Sequence, residues 1–200
     1  MFILFLFNLV MGADPNLIQT GRAQIFDRKF SEAQATFEQA LAQDDQDLEA
    51  LLGKIDALGF QRKTADTTGL ANKHFSKSAS KMQLVDAYIQ IWNRQNGPAT
   101  TALTALVDNA EVGYMANYLL GQLAIQGKDV DKAITYLTKS IGQNASYSES
   151  YYLLGEAYRQ KNDNANVAKY WSTYLNKIPS SVALSCSCST RLGWSGVCSG

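Results

Sequence analysis

Cysteine, proline and histidine are all scarce in this 200-residue chain. Its three cysteines, Cys186, Cys188 and Cys198, lie within the last fifteen residues, so no disulfide or thiol chemistry is expected before them. Their odd number and the Cys-x-Cys spacing do not fit the paired ligand elements of a zinc site. We therefore expect no metal and no other cofactor.

An excess of charge is also missing, because 18 Lys and Arg balance 18 Asp and Glu. Proteins that bind nucleic acid or acidic membranes through long-range attraction carry a clear positive excess. We therefore expect no nucleic-acid partner, and membrane association only through other proteins. An apolar content of 46% is enough to bury a core, so the chain is expected to fold.

The chain offers little for catalysis, which needs a convergent nucleophile, base and stabiliser. Its one histidine, His74, lies in a polar segment and is predicted to be a solvated surface residue. The segment GQLAIQGKD (residues 121–129) has five residues between its glycines instead of four, and Asp129 replaces the Ser or Thr of a phosphate loop. We expect a protein that is not an enzyme and has no small-molecule substrate.

Long hydrophobic runs are absent too, and the run MFILFLFNLVMG at the start is shorter than the roughly twenty residues of a membrane-spanning helix. Its length fits the apolar part of a secretory signal, although no Lys or Arg precedes it. We predict that residues 1–13 are a signal peptide and that the protein is exported to the periplasm. The alternative is an apolar N-terminal cap on a cytoplasmic protein.

What the chain does contain is a repeat, visible first as YLLG at residues 118–121 and again at 152–155. Small residues recur at intervals of 32, 34, 34 and 34, namely Gly21, Gly53, Ala87, Gly121 and Gly155. Glycine inside a helix costs about 1 kcal/mol against alanine, so its return predicts close approach of a second helix. Sixteen residues further on, a large residue follows in four of five cases: Phe37, Leu103, Leu137 and Trp171, with Gly69 as the exception.

This pattern resembles the tetratricopeptide repeat, a 34-residue helix-turn-helix unit with the motifs W-x2-L-G-x2-Y, A-x3-F and P. The last repeat matches it best, with Tyr151, Leu154, Gly155, Tyr158, Val167, Trp171 and Pro179 in register. The resemblance implies an all-α, right-handed superhelix of about five repeats over residues 14–45, 46–79, 80–113, 114–147 and 148–181. We expect an irregular second repeat and a disordered Ser-, Cys- and Gly-rich tail over residues 182–200.

Ten helical segments follow from this register. They are predicted at residues 15–27, 30–43, 47–59, 65–77, 80–95, 98–109, 114–126, 130–142, 148–161 and 164–177. Gly97 and Pro98 are expected to separate the fifth segment from the sixth.

Tetratricopeptide arrays bind an extended peptide or a helix of a partner protein in a concave groove lined by the first helix of each repeat. The resemblance places these groove candidates here: Ile18, Arg22, Ile25, Lys54, Tyr88, Ile91, Tyr118, Gln122, Tyr152, Glu156 and Arg159. The alternative for each is a place in the core between repeats. Basic Arg22 and Lys54 near one end, against acidic Glu149 and Glu156 near the other, suggest a groove that runs from positive to negative.

We accordingly expect a non-enzymatic scaffold for protein–protein interaction, in the form of an exported factor that assembles a bacterial envelope complex. The alternative is a structural subunit that self-associates by stacking through its terminal repeats.

Overall fold

The computed structural model describes residues 14–177, and every regular element in that range is a helix. The helices are α1 Pro15–Phe26, α2 Phe30–Gln43, α3 Leu48–Phe60, α4 Leu70–Phe75, α5 Ala79–Trp92, α6 Asn96–Thr104, α7 Gly113–Gln126, α8 Val130–Gln143, α9 Ser148–Gln160 and α10 Asn164–Lys177. The predicted all-α class is confirmed. The predicted signal peptide, Pro179, the tail and its three cysteines lie outside the described residues.

The chain divides into two compact units at Gly69, whose φ of 80° is in the left-handed region that favours glycine. In its described part, unit 1 (residues 14–69) contains α1, α2, α3 and a 3-10 turn at Thr64–Thr67. Unit 2 (residues 70–177) contains α4 to α10, in which each helix packs mainly against its neighbours in sequence. Such local packing is typical of helical repeats.

Unit 1 is built around Phe37 of α2, which is completely buried. A methyl group at Gly21 of α1 would lie 2.6 Å from Cζ of Phe37, and one at Gly53 of α3 would also collide with this ring. Phe37 therefore fills the space over two glycines. At Gly53, Phe37 from the first repeat packs where the large residue of the second repeat would be expected, since that repeat has Gly69 at this position.

In unit 2 the same contact recurs in the last two repeats. A methyl group at Gly121 of α7 would lie 2.6 Å from Cγ of Leu137 on α8, and one at Gly155 of α9 would collide with the indole of Trp171 on α10. The Trp171 indole N–H also donates a 3.2 Å hydrogen bond to the Tyr152 backbone oxygen. The prediction that the glycines permit close approach of a second helix is confirmed.

The turns after the first helices repeat as well, each through one residue with φ near 60°: Arg28, Arg62, Arg94, Lys128 and Asn162. In each case the following N–H bonds to a carbonyl five residues back, as from Asp129 to Ala124 at 2.9 Å. This is the Schellman arrangement, which usually uses glycine. Because four of the five residues are Arg or Lys, the usual sequence signal for such a turn is missing at these positions.

The second and third repeats depart from the predicted segments. The segment expected at 65–77 is a 3-10 turn followed by the six-residue α4, which agrees with the irregularity expected there. The segment expected at 98–109 instead starts at Asn96 and ends at Thr104, so Gly97 and Pro98 belong to its first turn. Proline is tolerated there because the first N–H groups of a helix have no partner within it.

The prediction that His74 is a solvated surface residue was wrong, since it is only 8% exposed. Leu70, Ala71, His74 and Phe75 are the buried residues of α4. Their spacing of one, four and five residues puts them on one side of a helix. The histidine follows that side into the interior despite its polar neighbours in sequence.

Between α6 and α7, a polar network holds the chain where the helical pattern stops. The buried Asn117 side-chain amide donates to the backbone oxygens of Val107 at 2.8 Å and Gly113 at 2.9 Å, and to Oε1 of Gln143 at 2.9 Å. The Gln143 amide donates to the same Val107 oxygen at 2.8 Å. One side chain thus ties the loop to both α7 and α8.

Candidate partner-binding site

In unit 1 the predicted groove residues lie on α1 and α3, and they differ in exposure. Ile18 is only 5% exposed, so it is a core residue instead of the groove residue expected. Ile25, Arg22 and Lys54 are partly exposed. The apolar pattern alone does not distinguish Ile18 from Ile25, because first helices of a repeat bury residues on more than one side.

The two predicted cations of unit 1 are compensated within the unit. Arg22 pairs with Glu49 at 2.9 Å, and Lys54 pairs with Glu38 at 2.9 Å. On α9 of unit 2, Glu156 likewise pairs with a basic neighbour, Arg159. Three of the four charges predicted to polarise a groove, Arg22, Lys54 and Glu156, are therefore paired with an opposite charge on their own unit.

In unit 2 the remaining predicted residues lie on the three first helices α5, α7 and α9, at matching register positions. Tyr88, Gln122 and Glu156 are 34 residues apart from one helix to the next, and all three are partly exposed. Ile91 and Arg159 lie one turn further along α5 and α9.

Tyr118 lies partly in the core between repeats and partly on the predicted groove surface. Its ring meets the edge of Tyr147 with centroids 5.2 Å apart, and Tyr114 meets the same ring at 5.2 Å. It also packs against the buried cluster formed by Ala124, Ala133, Leu137, Leu154 and Ala157. Tyr118 nevertheless remains partly exposed, so its buried side fixes a ring whose other side is accessible.

The surface of α9 combines an aromatic ring with an internally neutral ion pair. Tyr152 lies against Tyr174 of α10 with ring centroids 5.4 Å apart. Arg159 donates to both carboxylate oxygens of Glu156, at 2.8 and 2.6 Å, and this hydrogen bonding raises the pKa of Arg159. The two hydrogen bonds hold the pair in a fixed geometry. Because the two charges are opposite, this part of α9 carries little net charge.

The sequence reasoning missed Tyr114 and Tyr147, which organise the Tyr118 ring. Tyr114 and Tyr118 are four residues apart on α7, a spacing that places side chains together on one side of a helix. That spacing was the available signal. Tyr147 directly precedes α9 and could not be assigned to either helix from the pattern.

Among residues 14–177, none of the helices combines the length and the apolar composition that a membrane span requires. Within the same residues, no group of three or more His, Cys, Asp and Glu side chains is arranged to hold a metal ion.

The paired helices, the glycine contacts and the repeated left-handed turns define a helical-repeat protein. A sequence profile described as "Tetratricopeptide repeat" matches residues 18–63 and 93–149, together just over half of the chain. The chain belongs to the tetratricopeptide repeat family. It is therefore a scaffold of the protein–protein interaction class, and nothing in the described residues indicates catalysis.

Solved structures include similar helical folds at low sequence identity. PilF of Pseudomonas aeruginosa is 12% identical with a TM-score of 0.53, over 90% of this chain and 91% of that one. YrrB, described as a TPR protein with an unusual peptide-binding site, is 15% identical with a TM-score of 0.49, over 90% and 93%. MamA of Desulfovibrio magneticus RS-1 is 18% identical with a TM-score of 0.48, over 81% and 95%. A search of curated protein sequences found no significant match.

Proposed function

We propose that this protein binds an extended peptide or a helix of a partner protein on the first-helix face of unit 2. This face consists of Tyr88, Ile91, Tyr118, Gln122, Tyr152, Glu156 and Arg159. One observation carries the proposal: three successive first helices present partly exposed side chains at equivalent positions, 34 residues apart. A segment lying across α5, α7 and α9 would meet a similar position on each helix.

The chemistry of this face suits an uncharged or mildly polar partner segment. Tyrosine combines a large contact area with a hydrogen-bonding tip, and it is enriched at protein interfaces. Gln122 can both donate and accept hydrogen bonds, as a peptide backbone requires. The ion pair of the face, between Glu156 and Arg159, already satisfies its own charges.

The face is also partly ordered before a partner arrives. Tyr118 is held by Tyr147, and Tyr152 is in contact with Tyr174. Fixing a side chain on binding costs roughly 0.5–1.5 kcal/mol, so rings that are already held lose less on association. This supports Tyr118 and Tyr152 as the main contributors to affinity.

The test pairs each variant with a matched control on a second helix of the same unit. Once the partner has been captured and purified, its affinity is measured for Tyr152→Ala and for Tyr136→Ala, which removes a partly exposed tyrosine of α8. We expect Tyr152→Ala to lower the affinity by more than tenfold, about 1.4 kcal/mol, with little change for Tyr136→Ala. Equal effects of the two variants would remove the support for this face.

We further propose that the protein is exported and acts in the assembly of a bacterial envelope complex, with a cytoplasmic scaffold as the alternative. The support is the composition of residues 1–13, a short apolar run followed by a polar segment. Expression with these residues, followed by separation of periplasm and cytosol and N-terminal sequencing, tests it. A chain that begins near Ala13 or Asp14 in the periplasm is expected. An intact cytosolic chain would contradict export.

Self-association through the terminal repeats stays a prediction, with one observation in its favour. Leu175 on α10, the last described helix, is 41% exposed. Sedimentation velocity at increasing concentration tests it: stacking predicts larger species that Leu175→Lys removes. A chain that remains monomeric at high concentration would contradict stacking.

A further inference from the structure

We propose that unit 1 carries a separate binding surface that docks directly on an anionic lipid membrane. This turn patch consists of two helix ends and the turns that follow them: Phe26, Arg28, Lys29, Phe60, Arg62 and Lys63. The sequences FDRK (26–29) and FQRK (60–63) are two copies of the same arrangement. The patch is distinct from the first-helix face of unit 2 and does not depend on it.

The apolar part of the patch is two exposed rings at equivalent places. Phe26 ends α1 with 41% exposure, and Phe60 ends α3 with 48% exposure. The two turns are neighbours in space, since Phe60 stacks on Phe30 with centroids 4.9 Å apart and the Gln61 amide donates to the Phe30 backbone oxygen at 3.3 Å. The end of α3 and the turn that precedes α2 therefore lie side by side, and each of the two helix ends in this region carries one exposed ring.

The cationic part of the patch is available for an external anion. Its two arginines and two lysines are all exposed, and none of them forms an ion pair within the described residues of unit 1. The acidic residues nearest to them along the chain are Asp27, Glu32 and Asp66. The patch thus has four cations against these three carboxylates, an excess of one, and its cations are not paired within unit 1 as Arg22 and Lys54 are.

The internal bonding of the turns favours an anionic membrane surface over an extended peptide. The turn backbones are already bonded internally, from the Lys29 N–H to the Gln24 oxygen at 2.8 Å and from the Lys63 N–H to the Leu58 oxygen at 2.9 Å. These N–H groups are thus not available to pair with a peptide backbone. Exposed phenylalanines flanked by Lys and Arg match the composition of surfaces that lie at the membrane interface, where rings enter the headgroup region and cations meet phosphates.

This proposal departs from the expectation that membrane association is only indirect. That expectation rested on a net charge of zero, which averages over the whole chain. Attraction to an anionic surface acts within a Debye length, about 8 Å at physiological salt. The charges of the patch itself therefore count for more than the balance of unit 1, in which ten Asp and Glu outnumber six Lys and Arg over residues 14–69.

Vesicle co-sedimentation of the full chain tests the proposal, with phosphatidylcholine vesicles that contain phosphatidylglycerol compared with phosphatidylcholine alone. The patch variant changes Arg28, Lys29, Arg62 and Lys63 to Gln. The control variant changes the same number of exposed cations in unit 2, Lys73, Lys77, Arg94 and Lys128, to Gln. Arg94 and Lys128 occupy the same left-handed turn position as Arg28 and Arg62, so backbone effects are matched.

We expect partition into the anionic vesicles to fall roughly fivefold for each cation removed from the patch, and to change little in the control. Binding by the unaltered chain should weaken as salt is raised, a readout that requires no variant. Phe26→Ser and Phe60→Ser, made together, should also lower the partition coefficient. Three results would overturn the proposal: equal loss in both four-site variants, equal binding to uncharged vesicles, or patch-dependent binding of polyglutamate without binding of vesicles. The last would assign the patch to an acidic protein.

Discussion

Replacing Gly121 by alanine tests the packing on which the repeat rests, because an open helical glycine and a packed one should respond with opposite sign. Gly142 on the neighbouring helix α8 is the matched control, since a methyl group built there would meet no described atom within 4 Å apart from its chain neighbours and its own helix backbone. Alanine is favoured over glycine inside a helix by up to about 1 kcal/mol, so Gly142→Ala should stabilise unit 2 by up to that amount.

At Gly121 the same propensity gain is opposed by a collision. The new methyl would lie 2.6 Å from Cγ and 2.8 Å from Cδ2 of Leu137, a side chain with 0% exposure. Extra carbon in a packed core costs about 1–3 kcal/mol. After the helix gain is subtracted, Gly121→Ala should destabilise by roughly 0–2 kcal/mol. The two variants should thus differ by about 1–3 kcal/mol.

Urea unfolding followed by circular dichroism gives both values from the same unit. A Leu137→Ala background removes the colliding atoms, so adding Gly121→Ala there should cost less than in the unaltered chain, with a coupling of about 0.5–3 kcal/mol. If Gly121→Ala stabilised the protein as much as Gly142→Ala, the explanation of the glycine repeat by close helix approach would be refuted.

Three further predictions concern the turns and polar contacts. Lys128→Gly should stabilise the fold by about 0.5–1 kcal/mol, because glycine adopts positive φ without steric cost. Asn162→Gly should stabilise it less, because asparagine already tolerates this conformation better than lysine. Thermal unfolding of both variants measures the difference. Hydrogen bonds, chiefly from Ser80, hold the pKa of Glu111 below its ordinary value of 4.5. Ionised Glu111 therefore stabilises the fold above that pH, and this stabilisation is lost as the pH falls through the pKa of the folded state. The Glu111→Gln variant should accordingly lose less melting temperature on acidification than the unaltered chain. An acid profile that is the same for both would contradict this. Asn117→Ala should destabilise by about 1–3 kcal/mol, measured in urea, because buried acceptors lose their donor.

The helical pairs could be predicted from the sequence because packing of one helix against the next constrains residues at fixed intervals. Gly121 with Leu137 and Gly155 with Trp171 are visible in the amino-acid sequence as pairs with the same spacing, and both pairs are in contact. The role of Phe37 over Gly53 could not be predicted, since the partner lies in the preceding repeat.

The turns were less predictable than the helices. Arg28 and Arg62 carry no signature of a left-handed residue, because the helix pair imposes this conformation against their intrinsic preference. His74 was misjudged because the polar composition of its segment was given more weight than its spacing from Leu70.

The positions of the candidate site residues along the first helices could be predicted from the sequence. The exposure of each side chain could not. A first helix of a repeat contacts its own second helix and the neighbouring repeats, so apolar residues occur all round it. Ile18 is buried and Ile25 partly exposed, although both are isoleucines about two helical turns apart on α1. The ion pairs of Arg22 and Lys54 likewise depend on partners from another helix, which spacing within one helix does not reveal.

The most direct test of partner binding on unit 2 is site-specific photocrosslinking in the native cell. A photoreactive amino acid is placed at Gln122 on α7 or, as a control, at the exposed Thr138 on α8. The account predicts a discrete adduct with one protein from position 122 and none from position 138. An adduct with the same partner from position 138 alone would contradict it, because binding would then occur on the second helices.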